Sequence, residues 1–185
     1  ANNPTVFLPA AELAKMVLRA DPDATYCYTF DIDLAAIEPT VATPGDPRNG
    51  VPLRTLRKDI KIDIAYGGSC TGGKKADMDM YAATVRRALD QGRRLADGVQ
   101  CYIQFGSQKI RSYAETMGYV ALFEGAGIKL IDPSCGACIK AGPGVSDKPD
   151  QVTVSAINRN FPGRSGPGQV YLASPPVVVA SAFLG

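Results

Sequence analysis

The chain has 185 residues, the length of one domain or two small ones, and a domain of this size buries roughly 70% of the surface its unfolded chain exposes. Hydrophobic residues make up 45% and charged residues 21%, which excludes wholesale disorder, and a net charge of +2 gives no reason to expect nucleic acid or an anionic membrane as partner. There are no histidines, which excludes Ser-His-Asp and Cys-His catalysis within this chain, His-ligated zinc and the usual neutral-pH proton shuttle.

No apolar run reaches the roughly 18 residues of a membrane span. The opening Ala1-Asn2-Asn3-Pro4 lacks the basic start and apolar stretch of a secretory signal. It also lacks methionine, as expected of a processed form, a subunit or a piece of something longer. Five cysteines, an odd number without such a signal, favour reduced thiols or metal ligands over a disulfide scaffold.

In chain order, residues 9–19 read as a helix, with Leu13, Met16 and Val17 at i, i+3, i+4 spacing. Residues 25–32 are rich in β-branched and aromatic side chains and read as a strand. Residues 39–52 carry four prolines and two glycines and read as a loop. A short strand over 61–66 ends at Gly67-Gly68, and a long helix is predicted over 76–95, interrupted near Gly92. Residues 99–105 form the next strand, 110–124 a helix stopped by Gly125 and Gly127, and 128–131 a strand closed by Asp132-Pro133. A short helix opens near Cys135, and 152–157 and 170–172 are further strands. Residues 177–183 are apolar throughout and fit a buried helix or a buried strand equally. Alternating strands and helices at this spacing predict a single α/β domain over 1–185, with a mostly parallel or mixed sheet in three α/β/α layers.

Ligands in open α/β sheets bind beyond the carboxyl ends of the strands, and there the unusual residues fall. Cys70 sits in Gly67-Gly68-Ser69-Cys70-Thr71-Gly72-Gly73, between a strand and a helix. Glycines let a backbone approach a ligand, and a helix N-terminus stabilises a thiolate. Cys135 and Cys138 form Cys-Gly-Ala-Cys after another strand, where i, i+3 spacing turns both sulfurs to one side. Three thiolates meeting at one point fit a [4Fe–4S] cluster with one iron left open, a Lewis acid for a hydroxyl and a carboxylate. Cys27 and Cys101 lie in strand-like segments and read as buried structural cysteines.

Other readings of these residues compete. The three cysteines also fit core positions, and Cys135 and Cys138 fit a thiol redox pair. A four-ligand zinc site needs Cys27 or Cys101, both badly placed for it. Gly68 to Lys74 matches the first seven positions of a P-loop, but Lys75 stands where a magnesium-binding Ser or Thr is required. Thr71 likewise replaces the glycine that a nucleophile elbow needs after Ser69.

The stretch from Asn158 to Gly168 is a Gly/Pro loop carrying Arg159 and Arg164, five residues apart. Two guanidiniums there can converge on one anion, binding carboxylate in a bidentate, planar way, or form a solvated basic loop. Arg86, Arg87, Arg93 and Arg94 read as the solvated face of a helix.

Together these pieces resemble the aconitase and isopropylmalate isomerase family of iron–sulfur hydro-lyases. Gly68-Ser69-Cys70-Thr71-Gly72-Gly73 is similar to its first cluster-ligand motif, Cys135-Gly136-Ala137-Cys138 to its second, and Asn158-Arg159-Asn160-Phe161 with Gly163-Arg164 to its substrate-binding motif. Leu172-Ala173-Ser174-Pro175 resembles the segment that closes the domain, and the stretch from Asp33 to Pro52 resembles a family loop. The likeness runs from about Tyr26 onward. Thr71-Gly72-Gly73 stands where many members have Thr-Asn-Gly, Pro162 where relatives often have Glu, and the segment after Cys138 is less typical; none of these departures removes a cluster ligand.

The resemblance implies a domain in which Cys70, Cys135 and Cys138 hold a [4Fe–4S] cluster with one open iron. Asn158, Arg159 and Arg164 would bind a small polycarboxylate hydroxy-acid that loses and regains water. It favours 3-isopropylmalate, as in leucine biosynthesis, with aconitate or citrate next. It implies that the acid/base His, Asp and Glu groups and the catalytic Ser lie in other domains or a small subunit, so that this chain alone is inactive. It also implies a cytoplasmic setting, or the mitochondrial matrix in a eukaryote. The alternatives are a non-catalytic scaffold without cluster and a P-loop-like nucleotide-binding domain.

Overall fold

The computed structural model describes residues 9–56 and 60–185; the opening tetrapeptide Ala1-Asn2-Asn3-Pro4 lies outside them. The chain divides into a short N-terminal unit ending at Ile37 and a larger unit, Glu38–Gly185.

In the N-terminal unit the predicted helix is confined to α1 (Ala10–Lys15). It buries no residue, so nothing prolongs it beyond a turn and a half. The strand predicted over 25–32 is not formed. Tyr26, Tyr28, Phe30 and Ile32 alternate as a strand face would, yet each is at least 66% exposed. A strand is stable only when its backbone groups are paired, and no strand pairs with this segment among the described residues. For the same reason Cys27, expected to be buried, is exposed. The unit ends in a 3₁₀ turn, Leu34–Ala36, capped by Asp33, whose Oδ1 accepts from the Ala35 N–H at 2.9 Å.

The larger unit is built on seven strands: β1 (Thr40–Ala42), β2 (Gly50–Pro52), β3 (Ile64–Gly68), β4 (Gln100–Gln104), β5 (Lys129–Ile131), β6 (Val152–Ser155) and β7 (Gln169–Leu172). Their order is β2-β1-β7-β6-β3-β4-β5. The five strands from β7 to β5 run parallel, and β1 is antiparallel to both β2 and β7. The sheet is thus mixed. The proline-rich stretch read as a loop contains the β1–β2 hairpin at the sheet edge, the position strands with proline favour.

Successive residues of β3 and β4 point to opposite faces. Ala65, Cys101 and Ile103 enter the main core with Val154, beneath α3 (Lys75–Asp90), α5 (Tyr119–Gly125) and α6 (Pro175–Leu184). Ile64, Tyr66 and Tyr102 enter a second cluster on the other face, with Ala137, Ile157 and Val170. The fold is α/β in three α/β/α layers, and the second helical layer is thin there, a 3₁₀ turn (Gly136–Ile139) beside the loop over 142–147. Cys101 is buried as expected, and burial pushes its thiol up to about 12.

The helices follow local chemistry. α3 opens at Lys75, where the Asp77 side chain accepts the Lys74 N–H at 2.9 Å, and closes before Gly92, whose φ is +70°. The single helix predicted over 110–124 is two: α4 (Gln108–Thr116) and α5, divided by Gly118 in a left-handed conformation. The ambiguous apolar run is α6, a helix because Pro175 and Pro176 occupy its first turn, where prolines fit.

Candidate functional site

The chain leaves β3 toward β4 and β5 on one side and returns through β6 and β7 on the other, so β3 marks the point where the strand order reverses. The carboxyl ends of strands at such a point flank a crevice. The residues assigned to the candidate site lie on segments that leave the carboxyl ends of parallel strands. Cys70 follows β3, Cys135 and Cys138 follow β5, and Asn158, Arg159 and Arg164 follow β6.

The turn after β3 is forced by close packing. A Cβ on Gly68 would stand 1.9 Å from the Gln104 carbonyl oxygen, and its φ of +98° is open only to glycine. Ser69 follows at φ +68°, an uncommon conformation for a residue with a side chain, and starts the single turn α2 (Ser69–Gly72). Tyr81 of α3 fixes this turn from below. Its hydroxyl accepts from the Gly68 N–H at 2.8 Å and donates to the Gly72 carbonyl at 2.9 Å. The Gly106 N–H donates to the Gly73 carbonyl at 3.0 Å, so these glycines pack backbone on backbone. Lys75 lies over the Tyr113 ring, 4.4 Å from its centroid.

The second cysteine segment rests on the sheet. Gln104 is completely buried at the end of β4. Its Nε2 donates to the Ser134 carbonyl (2.9 Å), the Ser134 hydroxyl (2.8 Å) and, at 3.3 Å, the Asp132 carbonyl. Its Oε1 accepts from the Tyr66 hydroxyl at 2.7 Å. Cys135 and Cys138 then close a 3₁₀ turn, the Cys138 N–H donating to the Cys135 carbonyl. Burial and the neighbouring Cys138 push the Tyr66 hydroxyl up to about 12, against a hydrogen bond with the Ala137 backbone that lowers it.

The arginine loop is anchored by its own buried polar residues. Asn160 Nδ2 donates to the carbonyls of Thr43 (2.8 Å) and Val170 (3.1 Å). Ser165 donates to the Ala137 carbonyl at 2.9 Å, which joins this loop to the cysteine turn. Asn158 and Arg159 are exposed, while Arg164 is half-buried, lies over the Phe161 ring, and keeps its buried Nε without a hydrogen-bond partner. A buried guanidinium nitrogen without a partner is costly, so this one is disposed to receive an anion.

Cys138 is half-buried. Burial raises its thiol above the ordinary range; a hydrogen bond with Ser69 and the positive charge of Arg164 oppose that, and the charges of Cys70 and Cys135 add to it. Cys70 and Cys135 are exposed. The donor set is all sulfur, the soft set that suits iron–sulfur binding. Among the described residues no three acidic, Cys or His groups stand close enough to share one metal ion. An iron–sulfur core is wider than a single ion and takes each thiolate on a different iron. Sequence reasoning missed Gln104 and Ser165 and gave Ser69 and Asn160 no role beyond their place in the motifs; the one signal for Gln104 was a glutamine inside the apolar run Tyr102-Ile103-Gln104-Phe105.

A mixed α/β sheet with cysteines and arginines on the segments that leave the carboxyl ends of its parallel strands is a domain of the doubly wound kind. Residues 54–185 match the model of the aconitase family (aconitate hydratase), and the chain belongs to that family. It is 39% identical over 171 residues to the 3-isopropylmalate dehydratase large subunit of Clostridioides difficile, covering 91% of this chain and 39% of that protein. It is 39% identical over 173 residues to the large subunit of Acetivibrio thermocellus, with the same coverage. It is 36% identical over 179 residues to the mitochondrial homoaconitase of Gibberella zeae, covering 94% of this chain and 23% of that protein. The chain therefore spans less than half the length of these relatives.

Proposed function

We propose that this chain is the cluster-ligating part of an iron–sulfur hydro-lyase acting on a di- or tricarboxylic hydroxy-acid, of the 3-isopropylmalate type ahead of the homoaconitate or citrate type. The observation that supports the reading is the placement of Cys70 after β3, Cys135 and Cys138 after β5 and both arginines after β6, with the Ser165–Ala137 hydrogen bond tying the arginine loop to the cysteine turn. Cys70, Cys135 and Cys138 would hold a [4Fe–4S] group. Bound there with one iron free of protein ligands, that group supplies Lewis acidity toward a hydroxyl and a carboxylate.

The chain's own residues bind and orient. Arg164, with a donor already free, takes one substrate carboxylate, and exposed Arg159 takes another. Each charge-assisted contact is worth about 1.5–3 kcal/mol. Asn158, beside Arg159, supplies an uncharged amide for the substrate's polar edge. No histidine is present to move a proton near neutrality. We assign the acid/base His, Asp and Glu groups and a catalytic Ser to companion domains or a small subunit, as the name "large subunit" of the relatives suggests. Reduced thiols fit a cytoplasmic or mitochondrial-matrix setting, and no described helix is long and apolar enough to cross a membrane.

The test is dehydration of 3-isopropylmalate, homocitrate and citrate, followed by absorbance of the unsaturated product. The anaerobically reconstituted chain is assayed with and without the companion polypeptides of a 3-isopropylmalate dehydratase. Turnover only in their presence is expected; full turnover by the chain alone, or none with every companion and substrate, would overturn the reading.

A further inference from the structure

We propose that Gln104 is a positioning residue that holds the Cys135–Cys138 turn in register with the Cys70 turn. A glutamine with no exposed surface at the end of a central strand needs a reason, because each of its polar atoms must be satisfied inside the protein. Here the satisfaction is directional. The three acceptors of its Nε2 are all on Asp132 and Ser134, the two residues that flank Pro133 just ahead of Cys135. Its Oε1 is fixed from the other side by the Tyr66 hydroxyl, so the amide cannot turn over without breaking both sets of bonds.

The backbone of the same residue faces the first cysteine. Gln104 pairs with Gly68 across β3 and β4, and its carbonyl is the atom that leaves no room for a Cβ there. Gln104 thus touches the chain two residues before Cys70 and one residue before Cys135. Tyr66 completes the platform. A Cβ on Gly136 would stand 2.9 Å from its hydroxyl, and one on Gly144 would stand 2.3 Å from its ring, so the cysteine turn and the loop after it lie directly on Tyr66. Groups that orient metal ligands from behind are commonly as important as the ligands.

The mechanical claim stands on these contacts, whereas its consequence for iron binding rests on the cluster reading above. The test compares wild type with Gln104→Leu, which removes the amide and keeps much of its bulk, and Tyr66→Phe, which removes the bond to Oε1 and the one to the Ala137 backbone. Amide hydrogen exchange of the metal-free full chain is followed at residues 134–141 and, as an internal control, along β6 and β7. We expect at least tenfold faster exchange in the cysteine turn of Gln104→Leu, a smaller acceleration in Tyr66→Phe, and less than twofold change in the control strands. Iron retained after anaerobic reconstitution should fall in the same order.

Unchanged exchange at 134–141 in both variants would overturn the proposal, as would an equal acceleration everywhere, since that is loss of stability without positioning. If Gln104→Leu does not fold, Gln104→Met, which also lacks the amide, takes its place in the same comparison. Wild type that takes up no iron while Gln104→Leu still loosens the turn would defeat the cluster reading and leave the positioning role intact.

Discussion

The cysteine turn and the arginine loop lie at the same end of the sheet but are held by different parts of the molecule. The cysteine turn is fastened from beneath by the strands, through Tyr66 of β3 and Gln104 of β4. The arginine loop is fastened mostly by other loops: Asn160 reaches Thr43, Ser146 accepts from the Gly168 N–H, and Ser165 reaches Ala137. Sheet anchors give fixed ligand geometry, which a rigid inorganic core requires. Loop anchors leave Asn158 and Arg159 free to adjust to a flexible acid. The two regions are joined at the Ser165–Ala137 hydrogen bond.

The largest expected effect lies on the sheet-anchored side. Gly68→Ala puts a Cβ against the Gln104 carbonyl in a conformation of φ +98°. Strain and overpacking together should cost about 4 kcal/mol, read by urea unfolding of the chain. A loss below about 1 kcal/mol would mean that the Cys70 turn is as adaptable as a loop. Next comes Arg164→Lys, which keeps the charge but loses the planar fork. In the assembled enzyme it should raise KM about tenfold to a hundredfold, a loss of about 1.5–3 kcal/mol, with iron content unchanged. Lost iron with an unaltered KM would erase the division of labour between the regions.

Asn160→Ala removes two hydrogen bonds and leaves the Thr43 and Val170 carbonyls without them. It should destabilise the chain by about 2 kcal/mol and raise exchange at 158–164 while sparing the cysteine turn. The smallest effect belongs to the loop that Asn160 steadies. Hydrogen bonds from the Arg48 side chain and backbone hold the Asp46 carboxyl at about 2, below its ordinary 3.8. A depressed carboxylate stabilises the fold above its unfolded value, and that contribution is lost as pH falls through about 2. Carbon-detected NMR titration should find this midpoint, and Arg48→Ala should return it toward 3.8.

Much of this arrangement was legible in the sequence because glycine, cysteine and arginine carry their chemistry openly. The order of the five parallel strands and of the helices between them needed only spacing and turn residues to be read. The anchors did not, because a serine or an asparagine in a loop declares nothing about which distant carbonyl it will meet. Thr43 and Asn160 are bonded across more than a hundred residues. The segment over 25–32 shows the converse: its alternation of Tyr26, Tyr28, Phe30 and Ile32 is a strand pattern, but pairing is a property of two segments and cannot be read from one. Gly118 divided a helix that periodicity alone made continuous, since a left-handed glycine breaks the backbone without disturbing the spacing of side chains.

The central claim is that three cysteines from two strand ends grip one iron–sulfur core. Its most direct test is the iron and acid-labile sulfide content of the anaerobically reconstituted chain, beside the same chain carrying Cys70→Ser. We predict a brown protein with iron and sulfide in equal amounts, and little of either in the variant. A colourless, metal-free wild type even with companion polypeptides supplied, or a variant that retains its full complement, would contradict the claim.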